Sequence, residues 1–363
     1  MPACLSAISG RENRLRLPAV SRAVVLLVDG LGAAALKARA GHARTLASLM
    51  TASSVIDSGF PTTTASALAT LTTGTSPGQN GMVGYSVLDP ANDRVIKQLS
   101  GWDDLIDPYT WQSEPTVFER ATADGLSAVV IGPERYRDSG FSKAVLRGAE
   151  YIGAASIGDR LQRTAEWLRE PGVRGIAYVY VPELDVAGHA TGWESAEWTR
   201  WLEILDAAVR DLSEALGPDD GLLVTADHGV VDIGEHNHIL FDQDPALIDG
   251  VRFVAGEPRC LQLHFAPEAS AAVRVATEQA WRESEGSRSW IATRDEAVAA
   301  GWFGEVRDEV LPRIGDLLIA ARKGIAYYDS RTMQGTGMVG HHGSWSSDEV
   351  RVPLLRLGAF ARA

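Results

Sequence analysis

The sequence predicts an α/β protein: an open, doubly wound, mostly parallel sheet with a small α+β cap inserted late in the chain. Three observations carry this. Short aliphatic and β-branched runs without polar alternation recur along the chain, as strands covered on both faces require. Amphipathic helical patterns alternate with them. The rhythm then breaks from about residue 235 to 335 before a final motif returns.

In order, the strand runs are "AVVLLV" (23–28), "SAVVIG" (127–132), "IAYVYV" (176–181) and "GLLVTA" (221–226), each bounded by turn signals. Helices are predicted over 62–73, 159–169 and 194–215. In the last, "SAEWTRWLEILDAAVRDL" spaces its apolar residues three and four apart. With no internal repeat and no low-complexity linker, the expected core is residues 1–234 and 336–363, interrupted by a cap over 235–335. Within the cap, "RCLQLHF", "ASAAVRVATEQAWRE" and "IGDLLIAARKGIAYYD" read as strand, helix and strand.

The 363 residues are 45% apolar and carry 34 basic against 47 acidic side chains, a net charge of −13. This argues against affinity for nucleic acid polymers or anionic membranes. An anionic small molecule can still bind where metals or helix N-termini supply a positive field. Cys4 and Cys260, the only cysteines, exclude a disulfide framework and a cysteine-based zinc site. "MPACLSAISGRENRLRLPAV" has no apolar run of signal-peptide type, and nothing approaches the ~18 apolar residues of a membrane span. The expectation is a soluble cytoplasmic protein of unspecified oligomeric state, acting on a small molecule.

Four clusters can do chemistry, and three follow predicted strands, the edge where open α/β sheets place their ligands. Asp29 in "VVLLVDGLG" follows a buried strand; taken alone, it reads as an Asx-capped turn. Asp185 and His189 in "PELDVAGHATG" are four apart, so on a helix they share a face and can hold one metal. Asp227 and His228 in "LLVTADHGVVD" are adjacent at a strand end, where burying both is costly without a metal or a charge partner. His341 and His342 in "GHHGSWS" lie between glycines that permit close backbone approach. Together these carboxylates and imidazoles suit a pair of Zn²⁺-like ions.

A fifth stretch, "FPTTTAS" (60–66), sets three threonines after a proline. The order "VDG", "FPTTTAS…TTGTSPGQNG", "LDVAGH", "ADHG", "GHHG" resembles the alkaline phosphatase superfamily, and within it the nucleotide pyrophosphatase/phosphodiesterase branch, the type I phosphodiesterases. The resemblance spans about residues 22–240 and 335–357. It implies an alkaline-phosphatase-like fold, two divalent ions (Zn²⁺ expected) and a phosphothreonine intermediate. The family motif F-P-T-x-T ends in the nucleophile, which corresponds to Thr64. Thr62 and Thr63 are then expected to cap the following helix. Asp29, Thr64, Asp227 and His228 match the ligands of the metal that activates the nucleophile; Asp185, His189 and His342 match those of the second. His341 is expected to be structural. His236 and His238 in "EHNH" match no family position and are expected on an exposed loop.

Two departures bear on substrate. Nucleotide-cleaving members carry an aromatic residue after the threonine, where this chain has Ala65. They also carry a phosphate-binding asparagine where this chain has Tyr85, whose phenol offers a single donor. Tyr85 and Trp198 are the candidate substrate contacts. For Trp193, Trp198 and Trp201, packing of their helix onto the cap competes with an aromatic wall for a leaving group; Trp302 and Trp345 carry the same pair of readings.

The leading expectation is a two-metal phosphodiesterase or pyrophosphatase. The alternative is a phosphomonoesterase or phosphonate hydrolase, of phosphonoacetate type, in the same superfamily. A sulfatase is disfavoured because neither cysteine sits in C/S-x-P-x-R. A metal-stabilised binding protein without activity is the remaining class.

Overall fold

The computed structural model describes residues 1–332 and 335–362. Its central strand, Arg22–Val28, pairs in parallel with Gly175–Val181 on one side and Asp220–Thr225 on the other. Ser127–Gly132 and then Glu150–Gly153 extend the sheet in parallel beyond Gly175–Val181. On the opposite side Arg351–Gly358 runs antiparallel to Asp220–Thr225, and Val55–Asp57 pairs antiparallel with it at the edge.

Alternation along Arg22–Val28 shows why the sheet is covered twice. Val24, Leu26 and Val28 enter one apolar cluster with Leu161, Leu202 and Leu205. Ala23, Val25 and Leu27 enter another with Leu5, Leu68 and Phe118. Successive side chains point to opposite faces, so a continuous apolar run needs helices on both. Ile157–Leu168 and Ala196–Glu214 cover the first face, and Pro2–Ile8, Thr64–Thr73 and Val117–Ala123 the second.

The strand and helix boundaries lie within a few residues of those predicted. The helix expected over 62–73 starts at Thr64, because Thr63 is extended (φ −128°, ψ 143°), and it ends at Gly74 in the left-handed region. Ala196–Glu214 is capped by Ser195, whose side chain accepts from the Trp198 amide.

A second, four-stranded antiparallel sheet has the order Val251–Glu257, Cys260–Phe265, Leu317–Ala321, Ser289–Thr293. The helix Ala271–Glu285 packs on it through buried Trp281. The first and last of these strands were not legible in the sequence: Val251–Glu257 exposes Arg252, and Ser289–Thr293 is short and half-exposed. The hairpin Ser86–Asp89/Arg94–Lys97 docks on this sheet from an earlier part of the chain. Ser86 Oγ donates to the Gly256 carbonyl (2.8 Å) and Gln262 Nε2 to the Val83 carbonyl (2.8 Å). Among the described residues no helix is long and apolar enough to cross a membrane. Both cysteines are free and buried.

Candidate active site

The C-terminal ends of three parallel strands bring the clusters together. Asp29 follows Arg22–Val28, with its amide donating to the Val181 carbonyl (2.9 Å). Asp227 and His228 follow Asp220–Thr225. Asp185 and His189 lie one turn apart on the helix Glu183–Thr191, after Gly175–Val181. His342 follows the two-residue strand Gly340–His341, which pairs with Val231–Asp232. Gly30 makes the approach possible: at φ +74°, a Cβ there would stand 3.0 Å from Asp185 Cα.

Thr64, the first residue of its helix, places Oγ1 3.2 Å from His228 Nε2. The same Nε2 is 3.4 Å from Asp29 Oδ1 and 3.4 Å from Asp227 Oδ2. His189 Nε2 is 3.3 Å from Asp185 Oδ2 and 3.3 Å from His342 Nε2. The His228 and His342 rings stack at 3.6 Å. Two overlapping groups could each hold a cation: Asp185, His189 and His342, and Asp29, Asp185 and His228, with ligand atoms within 4.8 Å of one another in each. Asp227 turns Oδ1 to the Gly30 and His228 amides (3.2 and 3.0 Å) and leaves Oδ2 toward the cluster.

The ring nitrogens are oriented from outside the cluster. Nδ1 of His189 meets the Gly340 carbonyl at 2.7 Å, Nδ1 of His342 the Thr62 carbonyl at 2.8 Å, and Nδ1 of His228 the Gly229 carbonyl at 3.2 Å. A carbonyl accepts only, so each Nδ1 carries the proton and each Nε2 turns a lone pair inward. The Tyr180 hydroxyl donates to Asp29 Oδ2.

The unbound charges do not balance. Asp29 Oδ1, Asp185 Oδ1 and Asp227 Oδ2 are buried without a hydrogen bond. Burial, then the charges of Asp227 and Asp185, push the Asp29 carboxyl well above the usual range. Burial also raises Asp185, against the opposing pull of His189. Burial and the neighbouring His228 and His189 push His342 well below an ordinary imidazole. Carboxylates and inward lone pairs crowded this way could hold cations between them.

Other expectations fare differently. Thr63 occupies the N-cap position, but its side chain makes no cap bond. Thr62 Oγ1 donates to the Ser344 carbonyl (2.8 Å) and accepts from the Gly343 amide (2.9 Å). These threonine side chains therefore do not cap the helix; that of Thr62 ties the loop before Thr64 to the His342 loop. Trp198 is fully buried in the main core and meets the Trp193 ring edge-on at 6.3 Å. It backs the helix Glu183–Thr191 near Gly188 and does not line the cavity beside Thr64, because its helix turns it toward the sheet. Tyr85 sits near enough to Glu257 for that charge, after burial, to raise its phenol.

Phe60 stacks on Trp345 (4.6 Å, 2°) and meets Trp302 edge-on at 5.2 Å, joining the loop before Thr64 to the second sheet. His341 is held by the Val339 carbonyl (2.9 Å) and the Tyr328 hydroxyl (2.6 Å). His236 is exposed, whereas His238 is half-buried against the Tyr328 ring at 4.6 Å. Tyr180 and Glu257 also reach the cluster without belonging to any of the motifs, and Glu257 Oε2 lies 3.5 Å from His342 Nδ1. The two-residue alternation of Tyr178 and Tyr180 was a signal for the first; Glu257 had none.

A family model described as type I phosphodiesterase/nucleotide pyrophosphatase matches residues 23–345. A phosphopentomutase from Anaeromyxobacter sp. (strain K) is 35% identical over 117 residues, 31% of this chain and 28% of that protein. The match thus spans little more than a quarter of that relative. Among solved structures, murine ectonucleotide pyrophosphatase/phosphodiesterase 5, as an inactive threonine-to-alanine variant in complex with AMP, superposes with a TM-score of 0.69 at 15% identity, covering 93% of this chain and 88% of that one. Phosphonoacetate hydrolase from Sinorhizobium meliloti 1021, in complex with phosphonoformate, gives 0.71 at 17% identity, covering 94% and 91%. At these identities the structural likeness is one of fold.

Proposed function

Because the chain belongs to the type I phosphodiesterase/nucleotide pyrophosphatase family, we propose that it hydrolyses a phosphodiester or phosphoanhydride through a covalent phosphothreonine on Thr64. The observation that carries this is Thr64 Oγ1, set at a helix N-terminus 3.2 Å from His228 Nε2 and beside the unpaired oxygens of Asp29 and Asp227.

The donor set fits two divalent cations. Asp29, Thr64, Asp227 and His228 would hold one and Asp185, His189 and His342 the other; oxygen and imidazole donors without thiolate suit Zn²⁺. When bound, such a pair lowers the pKa of a nearby hydroxyl and neutralises charge on phosphoryl oxygens. The chain's own residues do the rest. The Gly340, Thr62 and Gly229 carbonyls fix the imidazoles, and Tyr180 fixes Asp29. The first turn of Thr64–Thr73, with the Thr63 hydroxyl uncommitted to it, offers amides and a positive dipole to a phosphoryl oxygen. Thr64 Oγ1 bonds to phosphorus as the leaving oxygen departs, and water then cleaves the phosphothreonine.

The murine relative crystallised with AMP after loss of a threonine supports this reading. The likeness to phosphonoacetate hydrolase keeps a phosphonate or phosphomonoester hydrolase as the second reading. Ala65 and Tyr85, where nucleotide-cleaving relatives are expected to carry an aromatic residue and an asparagine, favour a substrate other than a nucleotide. We further take residues 235–335 as a cap on the core, the substrate as a small phosphoester, and the protein as cytoplasmic.

The test is turnover of bis(p-nitrophenyl) phosphate against p-nitrophenyl phosphate by zinc-loaded protein, with Thr64→Ala alongside. Diester preference abolished in the variant is the expected result. A monoester preference moves the protein to the second reading, and full activity in Thr64→Ala ends the phosphothreonine mechanism.

A further inference from the structure

Beside Thr64 the sheet edge holds a cavity of about 100 Å³. Leu68, Leu99, Val130 and Phe141 supply apolar wall, four tyrosines supply rings, and no charged side chain lines it among the described residues. Three of the tyrosine hydroxyls are paired: Tyr136 accepts from Arg135 Nη2 (2.9 Å), Tyr151 donates to the Pro133 carbonyl (2.8 Å) and Tyr180 donates to Asp29. The fourth is not. Tyr178 is 1% exposed, and its hydroxyl has no hydrogen-bond partner.

An unpaired buried hydroxyl is rare in folded proteins and asks for a partner. Tyr178 lines the cavity, so a group that enters it can supply that partner. An engineered cavity of about 150 Å³ accepts benzene, so this smaller one takes a group below the size of a six-membered ring. A charged group would be stripped of water against walls that offer no counter-charge. A plain alkyl group would fit but leave Tyr178 unpaired, and sites built around such a hydroxyl discriminate against analogues that cannot pair with it.

We propose that this cavity receives one ester substituent of the substrate, a short uncharged chain bearing a hydroxyl that hydrogen-bonds to Tyr178, and that Tyr178 determines specificity for it. The inference rests on the phosphoester-hydrolase reading of Thr64 and narrows it to diesters of small polyol-like alcohols, away from nucleosides.

The experiment compares kcat/KM of the zinc-loaded protein on p-nitrophenyl phosphodiesters whose second substituent is propyl, 3-hydroxypropyl, 2-carboxyethyl or 5′-thymidyl, corrected for spontaneous cyclisation. The hydroxypropyl ester is expected to lead the propyl ester by about tenfold, with the carboxyethyl and thymidyl esters below both. Tyr178→Phe, which keeps the ring, should bring the hydroxypropyl-to-propyl ratio close to one. A ratio unmoved by that substitution, or a thymidyl ester that leads the series, overturns the proposal while leaving the hydrolase reading intact. If no ester turns over, the hydrolase reading fails, and the cavity is tested separately. Methyl signals of Leu68, Leu99 and Val130 are then followed by NMR in Thr64→Ala as 3-hydroxypropyl methyl phosphate is added. Shifts that weaken when Tyr178→Phe is added sustain the cavity assignment; unmoved signals end it.

Discussion

His189 Nε2 and His342 Nε2 face each other at 3.3 Å, and the Nδ1 of each is engaged by a backbone carbonyl. Two inward lone pairs at that distance repel. With the unpaired oxygen of Asp185 beside them, they form a group that could hold a cation, its donors coming from a helix and a distant loop.

Removing metal should therefore destabilise the fold. Chelator-treated protein is expected to melt several degrees below protein refilled with Zn²⁺, since a ligand at 100 times its Kd contributes about 2.7 kcal/mol. Differential scanning calorimetry checks this, and superimposable transitions would count against a metal-holding cluster.

Tyr180→Phe leaves Asp29 Oδ2 without its hydroxyl donor. Loss of such an outer partner lowers metal affinity or activity by roughly 10–100-fold. A zinc titration with a competing chromophoric chelator reads the affinity, and an unchanged Kd with unchanged turnover would remove Tyr180 from the site.

Gly30→Ala tests the close approach of the first strand turn to Asp185. The new Cβ would lie 3.0 Å from Asp185 Cα in a backbone at φ +74°, a combination that costs roughly 1–3 kcal/mol. Urea unfolding should show that loss, and metal content by mass spectrometry should fall with it. Stability and metal content equal to the parent would show that the turn can relax.

Trp198→Phe separates packing from substrate contact. Trp198 is fully buried in the main core, so the smaller ring leaves a void expected to cost about 1–3 kcal/mol. The melting temperature should drop while KM on an active ester stays at its parent value. A raised KM at unchanged stability would restore Trp198 to the substrate.

Acid sensitivity should trace in part to His264. Burial pulls this imidazole down to about 4, and its Nε2 has no hydrogen-bond partner. An unfolded histidine takes its proton near 6.5, so between about 6.5 and 4 the unfolded chain binds more protons than the folded one. The stability it confers is present above 6.5 and is lost as pH falls toward 4. From pH 7.5 to pH 5 the loss is about 2 kcal/mol. His264→Phe should remove that increment from the pH dependence of urea unfolding; an identical pH dependence in parent and variant would assign acid sensitivity elsewhere.

The buried parallel strands were legible because a strand covered on both faces must be apolar throughout, as "AVVLLV" and "IAYVYV" are. The helix Ala196–Glu214 was legible because its apolar spacing is helical. Arg351–Gly358 and Val251–Glu257 were not: the first is an antiparallel strand without a distinctive run, and the second is half-exposed. Sequence order likewise hid the docking of the Ser86–Lys97 hairpin on a sheet built some 160 residues later.

At the site, the order of residues already held the available chemistry: an aspartate after each of three strands, histidines at motif spacing, and a threonine at a helix start. Those follow from local rules of strand ends and helix faces. How those groups are aimed is set by the packing of the folded chain. The Gly340 and Thr62 carbonyls that orient the imidazoles, the Tyr180 hydroxyl on Asp29, and the burial of Trp198 away from the cavity all depend on contacts between segments far apart in the chain. So does the isolation of the Tyr178 hydroxyl. A hydrogen bond between distant residues leaves no periodicity in sequence, and it is set by packing alone.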